Sequence, residues 1–239
     1  MNTINQTEQE LMHYISAHKI LNTHSHHLPE QAMTDFNLNK LIGSSYLQWQ
    51  QVTPGTTAES RSVFLEKMRY RSFFVWLQKA IQELYGISDP LTPQNWDQIS
   101  DLIHKAHQNP SFYTDVLKDK CKYQNIIVDT YWNPGTNNGK PELFTPSFRL
   151  DLFFLGYKKG LRNHDGVSLE EQFGELPDNL NDYIEWVKKW ILKKKSEGCV
   201  ALKVAIAYER SLHFEKVTPE QAERVFRLKE SDITPEDIR

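Results

Sequence analysis

Cysteine is scarce in this sequence, and neither sign of charge predominates. Only two of the 239 residues are cysteines, Cys121 and Cys199, which excludes a disulfide framework. Lys and Arg number 28 against 31 Asp and Glu, so the formal net charge is −3 and no basic excess favours a nucleic-acid backbone. The composition therefore predicts a protein of the reducing cytoplasm that does not bind nucleic acid.

Long apolar runs are also missing. No stretch approaches the roughly 18 apolar residues that a membrane-spanning helix requires, and the N-terminus lacks the basic start and apolar run of a signal peptide. The one cationic cluster, three lysines at 193–195, follows an amphipathic helical pattern, where we interpret it as a solvated helix terminus. We expect no membrane partner, and formation of a homo-oligomer stays open.

Four segments have the apolar, β-branched composition of buried strands. They lie near residues 20, 126, 149 and 201, and the most regular of them covers residues 199–208. Helical patterns lie between these segments, and this order favours βα units with a parallel sheet. Residues 28–123 are mostly helical in pattern and rich in aromatics. They predict a helical insertion after the first strand, within a single domain that covers residues 1–239.

The sharpest signal for chemistry is the sequence His24-Ser25-His26, at the end of the first strand segment. Side chains two residues apart in a strand point to the same face, so both imidazoles can bind one metal ion. A surface or structural histidine pair is the alternative. The position at the end of an apolar strand favours a metal site, because barrel enzymes build their active sites there.

Lys203 is a second candidate for a functional site. It alternates with alanines on one face of the predicted strand 199–208, where a buried ammonium requires a counter-charge, a metal-bridging modification or an anionic ligand. A surface lysine at the sheet edge is the alternative. Tyr208 and Arg210 follow the strand, and they are either contacts for a substrate anion or ordinary loop residues.

Three further charged residues stand in the second and third strand segments. Asp129 lies at the polar end of the second, while Arg149 and Asp151 share one face of the third. In the functional interpretation Arg149 binds a substrate carboxylate, and in the structural one it forms a buried ion pair with Asp151. Asp129 is a candidate for the same substrate site.

The order of these segments resembles a known family. An N-T-H-S-H strand end, a long helical insertion, an S-F-R-L-D strand and an A-L-K-V-A strand are similar to the amidohydrolase superfamily of metal-dependent (β/α)8 barrels, in the branch near uronate isomerase. The resemblance implies that His24 and His26 bind a divalent metal, with zinc as the expectation. It also implies that Lys203, when carbamylated, bridges two metals, and that Arg149 meets a substrate carboxylate.

The sequence departs from the family pattern in two respects. Asn22 stands where many members have aspartate, and the four strand segments leave no counterpart for the strands that carry the family's remaining ligands and its catalytic base. The resemblance therefore implies an α/β fold of the (β/α)8 TIM-barrel type that is incomplete, with about four βα units. It further implies the N-terminal part of a larger enzyme.

The expected function is that of a metal-dependent hydrolase. A bound Zn²⁺ lowers the pKa of water to about 7 and so prepares it to attack a C–N or C–O bond of a small, carboxylate-bearing substrate. A sugar-acid isomerase is the alternative reaction, in which the metal organises a hydroxy-carbonyl for proton transfer. A non-catalytic half-barrel is the third possibility, because two imidazoles alone rarely hold Zn²⁺ tightly.

Overall fold

Four parallel strands form the sheet of this α/β protein. The computed structural model describes residues 5–50, 52–226 and 228–237. The strands described there are β1 (Ile20–Ser25), β2 (Tyr123–Val128), β3 (Phe144–Arg149) and β4 (Ala201–Lys203). They form one sheet in the order β1-β2-β3-β4. Because the strands are parallel, their carboxyl ends meet at one edge of the sheet. The arrangement is that of an incomplete TIM barrel, which has eight such strands.

Helices precede β1, separate β1 from β2 and β3 from β4, and follow β4, whereas residues 129–143 between β2 and β3 are turns and irregular chain. In the described residues the helices are α1 (Gln6–Ala17), α2 (Leu38–Gly43), α3 (Ala58–Met68), α4 (Ser72–Tyr85), α5 (Trp96–His107), α6 (Phe112–Asp115), α7 (Leu169–Phe173), α8 (Leu180–Ser196) and α9 (Pro219–Phe226). None of the helices in this part of the chain is both long enough and apolar enough to cross a membrane.

Polar caps explain where many of these helices begin. Side-chain oxygens accept a hydrogen bond from the backbone N–H three residues ahead at the starts of α1, α2, α3, α7 and α8, and this satisfies a donor that the helix itself leaves unpaired. The capping residues are Asn5, Asn37, Thr57, Ser168 and Asn179. Gly86 ends α4 in a left-handed conformation with φ of 66°, which glycine adopts without steric cost.

The chain forms two compact units. The first comprises residues up to Ile20 together with Leu28–Gln124. Its core contains Phe64, Trp96 and Ile103, all fully buried, and the rings of Phe64 and Trp96 meet edge to face with centroids 6.0 Å apart. This unit therefore has an apolar core of its own, made by helices.

The second unit comprises Leu21–His27 and the chain from Asn125 onward. Its core packs β3 against α7 and α8 through Phe148, Leu169 and Tyr183. The Tyr183 hydroxyl donates a 2.7 Å hydrogen bond to the Phe153 carbonyl, which satisfies the one polar atom that this side chain brings into the core. The carboxyl ends of all four strands belong to this unit.

Two strands differ from the sequence expectation. The segment at residues 199–208 forms only the three-residue strand β4, and its apolar side chains Leu202 and Val204 are exposed. Within the described residues β4 pairs with β3 alone, so these side chains are not covered by a further strand. The third segment leaves the extended conformation at Leu150 and continues as a 3-10 helix over Asp151–Leu155. Asp151 is therefore not a strand residue.

Candidate metal centre

Two histidines and an aspartate come together at the carboxyl ends of β1 and β2. His24 and His26 stand at the end of β1, and Asp129 follows β2 directly. Their potential ligand atoms all lie within 4.8 Å of one another. The Nε2 of His24 is 3.7 Å from the Oδ2 of Asp129, and the two imidazole rings meet edge to face with centroids 4.9 Å apart.

The backbone at these strand ends holds His26 in one tautomer. The Asp129 N–H donates to the Ser25 carbonyl at 2.9 Å, which extends the pairing between β1 and β2. The Nδ1 of His26 lies 2.6 Å from the Asp129 carbonyl. Because a carbonyl oxygen only accepts, Nδ1 carries the hydrogen and donates it. In the neutral ring the lone pair is therefore on Nε2, as in histidines that ligate metals through this atom.

Asn22 stabilises the same end of β1 through two hydrogen bonds of its side chain. Its Oδ1 accepts from the His24 N–H at 3.1 Å, and its Nδ2 donates to the Ser25 hydroxyl at 2.5 Å. The amide thus binds both the His24 N–H and the Ser25 hydroxyl.

Asp129 is ionised despite its burial. Its side chain is 1% exposed, and the Nε and Nη2 of Arg149 donate to its two oxygens at 3.3 and 2.8 Å. Burial alone would raise the pKa of Asp129, but the hydrogen bonds and charge of Arg149, with His26 and Lys203 nearby, outweigh it and lower this pKa. The cluster therefore contains a carboxylate and not a carboxylic acid at neutral pH.

His24 has the opposite charge preference, since its surroundings favour a neutral ring. Burial lowers the pKa of His24, and the neighbouring Lys203 and His26 lower it further, while Asp129 acts in the opposite direction without reversing the shift. A neutral imidazole is the form that binds metal. The neighbouring His27 is separate from this cluster: its ring packs against Phe144, and burial lowers its pKa to about 4.

Arg149 lies between two aspartates. Besides its two contacts with Asp129, it places Nη1 3.5 Å from the Oδ2 of Asp151, and it lies over the Tyr131 ring. Asp151 is buried, and burial raises its pKa, while the Ala205 N–H and the charge of Arg149 act against this rise. The structure thus places Arg149 in ion pairs with both carboxylates.

Lys203 lies beside Arg149, because the two residues are partners in the register of β3 and β4. Its charge acts on both His24 and Asp129. Within the described residues its ammonium makes no hydrogen bond and no ion pair shorter than 4.0 Å. The Lys203 side chain is only partly buried, whereas the sequence predicts a buried one.

The other predicted substrate residues do not join the three-residue cluster. Tyr208 is exposed, and its ring is tilted against that of His164 with centroids 5.1 Å apart, while Arg210 lies over the Phe214 ring. Sequence reasoning missed His164, whose Nδ1 is hydrogen-bonded to the Glu209 carboxylate. The two residues are 45 positions apart, so local spacing carries no signal for this contact.

Sequence reasoning placed Asp129 in the substrate site and not among the metal ligands. Two features of the sequence could have indicated that Asp129 lies near the histidines: its position at the polar end of the second strand segment and the parallel order of the strands. In parallel neighbours the carboxyl ends lie side by side, which brings a residue after β2 to the histidines of β1.

Comparison with known proteins supports the fold. No family model and no curated protein matches the chain. Among solved structures, the crystal structure of uronate isomerase from Thermotoga maritima is similar, with a TM-score of 0.64 and 16% sequence identity. The fold is TIM-barrel-like. The similarity covers 92% of this chain and 53% of that uronate isomerase, so the chain spans about half the length of its structural neighbour.

Proposed function

We propose that His24, His26 and Asp129 bind a divalent metal ion, with zinc as the first candidate, in an enzyme that acts on small carboxylate-bearing substrates. The observation that carries this proposal is the convergence of the three donor groups within 4.8 Å. Two imidazoles and one carboxylate are a donor set that catalytic divalent metals use, with further positions left open for water or substrate. The chemistry of these three donors therefore fits a divalent metal ion.

Charge balance supports the same proposal. Two carboxylates, Asp129 and Asp151, lie with two cations, Arg149 and Lys203, at this end of the sheet. A divalent ion added to these four charges gives the centre a net positive charge. A centre with a net positive charge would attract an anionic substrate, which agrees with the expectation of a carboxylate-bearing substrate.

Of the two reactions, we favour the sugar-acid isomerase, because the similar structure is a uronate isomerase. A metal ion bound by His24, His26 and Asp129 would supply Lewis acidity that can polarise a carbonyl group. The chain would position the ligands of this metal. The Asp129 carbonyl accepts from Nδ1 of His26 and so orients the ring, and Arg149 keeps the Asp129 carboxylate ionised and in place. The hydrolase is the second candidate, since the His24 side chain is 50% exposed and its surroundings admit water.

Metal analysis tests the proposal first. We expect one Zn²⁺ per chain after chelation and reloading, and loss of this ion in His24→Ala. The matched control is His213→Ala, which removes an exposed histidine of the same unit outside the cluster. Equal metal content in all three proteins would contradict the proposal.

Activity assays on the metal-loaded chain then separate the reactions. We expect NMR to show conversion of a uronate from aldose to ketose without net hydrolysis. Cleavage of amide or lactone substrates instead would make the hydrolase the better assignment. Metal binding without turnover of the uronates, the amides or the lactones would favour the non-catalytic half-barrel.

A further inference from the structure

Two aromatic side chains, Tyr131 and Trp132, closely follow Asp129 in the chain and are open to solvent. Their exposed fractions are 41% and 37%, although Thr130 before them and Pro134 after them are buried. The chain therefore holds two rings at the surface immediately after a proposed metal ligand.

A closed turn fixes the backbone that carries both rings. The Asn133 N–H donates to the Thr130 carbonyl at 3.2 Å, and the Thr130 hydroxyl donates to the Asn133 carbonyl at 2.6 Å. Tyr131 and Trp132 are the two central residues of this turn, whose first residue, Thr130, is fully buried. Because the turn is already ordered, a ligand that contacts the rings would lose little free energy in ordering this loop.

Tyr131 connects the turn to the metal centre. Its ring meets the His26 ring edge to face with centroids 5.9 Å apart, and the Arg149 guanidinium carbon lies 5.5 Å from the Tyr131 centroid. The Trp132 ring meets that of Tyr131 edge to face at 4.6 Å. Single aromatic rings at a protein surface are common and need no function. Here the indole lies one ring away from a proposed metal ligand, which distinguishes the pair from such rings.

An indole ring attracts the C–H groups of a sugar. Its face is electron-rich, whereas sugar C–H groups carry a small positive charge, and contact between the two removes apolar surface from water. In a sugar acid these C–H groups lie on the carbons between the carbonyl and the carboxylate. Both of these end groups offer oxygen atoms to a divalent metal. An aromatic surface close to the metal therefore suits a ligand whose carbon chain extends away from the metal.

We propose that Trp132 stacks on the carbon chain of the substrate, and that Tyr131 fixes the distance between this surface and the metal centre. The inference rests on the proposed function, since it assumes that a metal is bound. It also narrows the substrate class to sugar acids with several hydroxylated carbons, in preference to short carboxylates. In these roles Trp132 is a binding residue and Tyr131 is a positioning residue.

Calorimetry on the Zn²⁺-loaded chain compares two ligands, D-glucuronate and glycolate. Glycolate has a carboxylate and a hydroxyl on only two carbons, so it lacks the chain that the indole would contact. Trp132→Ala removes the indole, and Trp132→Phe replaces it with a smaller ring. Trp76→Ala is the matched control, because Trp76 is an exposed tryptophan on α4 in the other unit. Competition with a chromophoric chelator measures the Zn²⁺ affinity of each protein.

We expect Trp132→Ala to weaken D-glucuronate binding about five- to tenfold, whereas Trp132→Phe retains most of the affinity. Glycolate affinity, or its absence, should be the same in wild type and in all three variants. Zn²⁺ affinity should also be the same, since Trp132 does not contact a metal ligand directly. Trp76→Ala should bind both ligands as wild type does.

The positioning role of Tyr131 is tested by the double variant with Trp132→Ala. If Tyr131 acts through Trp132, Tyr131→Ala weakens D-glucuronate binding by itself but adds little to the loss in Trp132→Ala. Tyr131→Phe, which keeps the ring, should retain the wild-type affinity. Losses that add fully in the double variant would overturn the positioning role.

Three other outcomes would contradict the proposals. D-Glucuronate affinity that is unchanged in Trp132→Ala, or absent in the Zn²⁺-loaded wild type, would overturn the stacking role and leave the metal centre intact. Weaker Zn²⁺ binding in Trp132→Ala, or an equal loss of affinity for glycolate and D-glucuronate, would overturn it in favour of a structural role for the turn. A wild-type chain that binds no Zn²⁺ would overturn the proposed function itself.

Discussion

Among the described residues, two arginines pair with an aspartate through two nitrogens, and they do so in different surroundings. Arg61 on α3 donates to Asp97 on α5 at 2.9 and 2.6 Å, and its guanidinium lies over the Trp96 ring. Arg149 donates to Asp129 at the strand ends with similar distances. The arginine side chains are 11% and 13% exposed, whereas Asp97 is 78% exposed and Asp129 only 1%.

The difference lies in what else the carboxylate faces. Asp97 is solvated, and its hydrogen bond with Arg61 lowers its pKa. Asp129 is buried and faces Arg149, His26 and Lys203 together. A solvated pair joins two helices and needs no further function to explain it. A buried carboxylate that faces several basic groups is a candidate for a functional site.

Removing the buried carboxylate should have the largest effect. Asp129→Asn leaves Arg149 with one carboxylate partner fewer in a buried position, so we expect a loss of about 3 kcal/mol in the free energy of unfolding. Metal binding should be lost as well, because an amide is a far weaker ligand than a carboxylate. Urea denaturation of the metal-free proteins and metal analysis measure the two effects separately. A variant that retains stoichiometric metal would show that Asp129 is not a ligand.

Replacing the guanidinium should have an intermediate effect. Arg149→Lys keeps the charge but loses the two-pronged contact with Asp129, so we expect a loss of about 1 to 2 kcal/mol in stability. Metal affinity should fall about tenfold, because Arg149 positions a ligand. Arg61→Lys is the matched control and should leave metal affinity unchanged. Equal metal affinity in Arg149→Lys and Arg61→Lys would show that Arg149 does not position a metal ligand.

Acid should weaken the metal-free protein through Asp129. Since the pKa of Asp129 is lowered on folding, its charged form stabilises the fold above the unfolded pKa of about 3.9, and this contribution is lost as the pH falls through the lowered folded value. The stability difference between wild type and Asp129→Asn should therefore be full at pH 5 to 7 and shrink below about pH 4. Urea denaturation across this range measures it, and a difference that grows towards pH 3 would refute the assignment.

Removing the solvated carboxylate should have the smallest effect. Asp97→Asn breaks the Arg61 pair on its exposed side, where water replaces the lost contact, so we expect the smallest change in melting temperature of the series. Metal binding should be the same as in wild type. A melting temperature as low as that of Asp129→Asn would show that exposure does not separate the two pairs.

The parts of the centre that depend on local spacing were predictable from the sequence. His24 and His26 are two residues apart at the end of a strand, and the period of a strand alone brings their rings together. The parallel sheet likewise follows from the order of strand and helix patterns. Asp129 required the additional knowledge that β2 lies next to β1, which a strand pattern does not contain.

Exposure and long-range pairing were not predictable. The alternation around Lys203 indicates a strand, but it does not tell an edge strand from a central one, and β4 lies at the edge of the described sheet. Arg149 had two open interpretations, and which one holds depends on the distances to Asp129 and Asp151. Distances between residues far apart in the chain arise from packing, which a single sequence does not reveal.

The contact between His26 and Asp129 spans 103 positions of the chain, and the helical residues 28–123 lie within that interval. An ion held by both residues would act as a covalent cross-link does, since it would deny the unfolded chain the freedom of a loop of that length. For a loop of about 100 residues this entropic contribution is about 4.7 kcal/mol. Both cysteines of this protein are free, so metal coordination would provide the kind of cross-link that secreted proteins obtain from a disulfide.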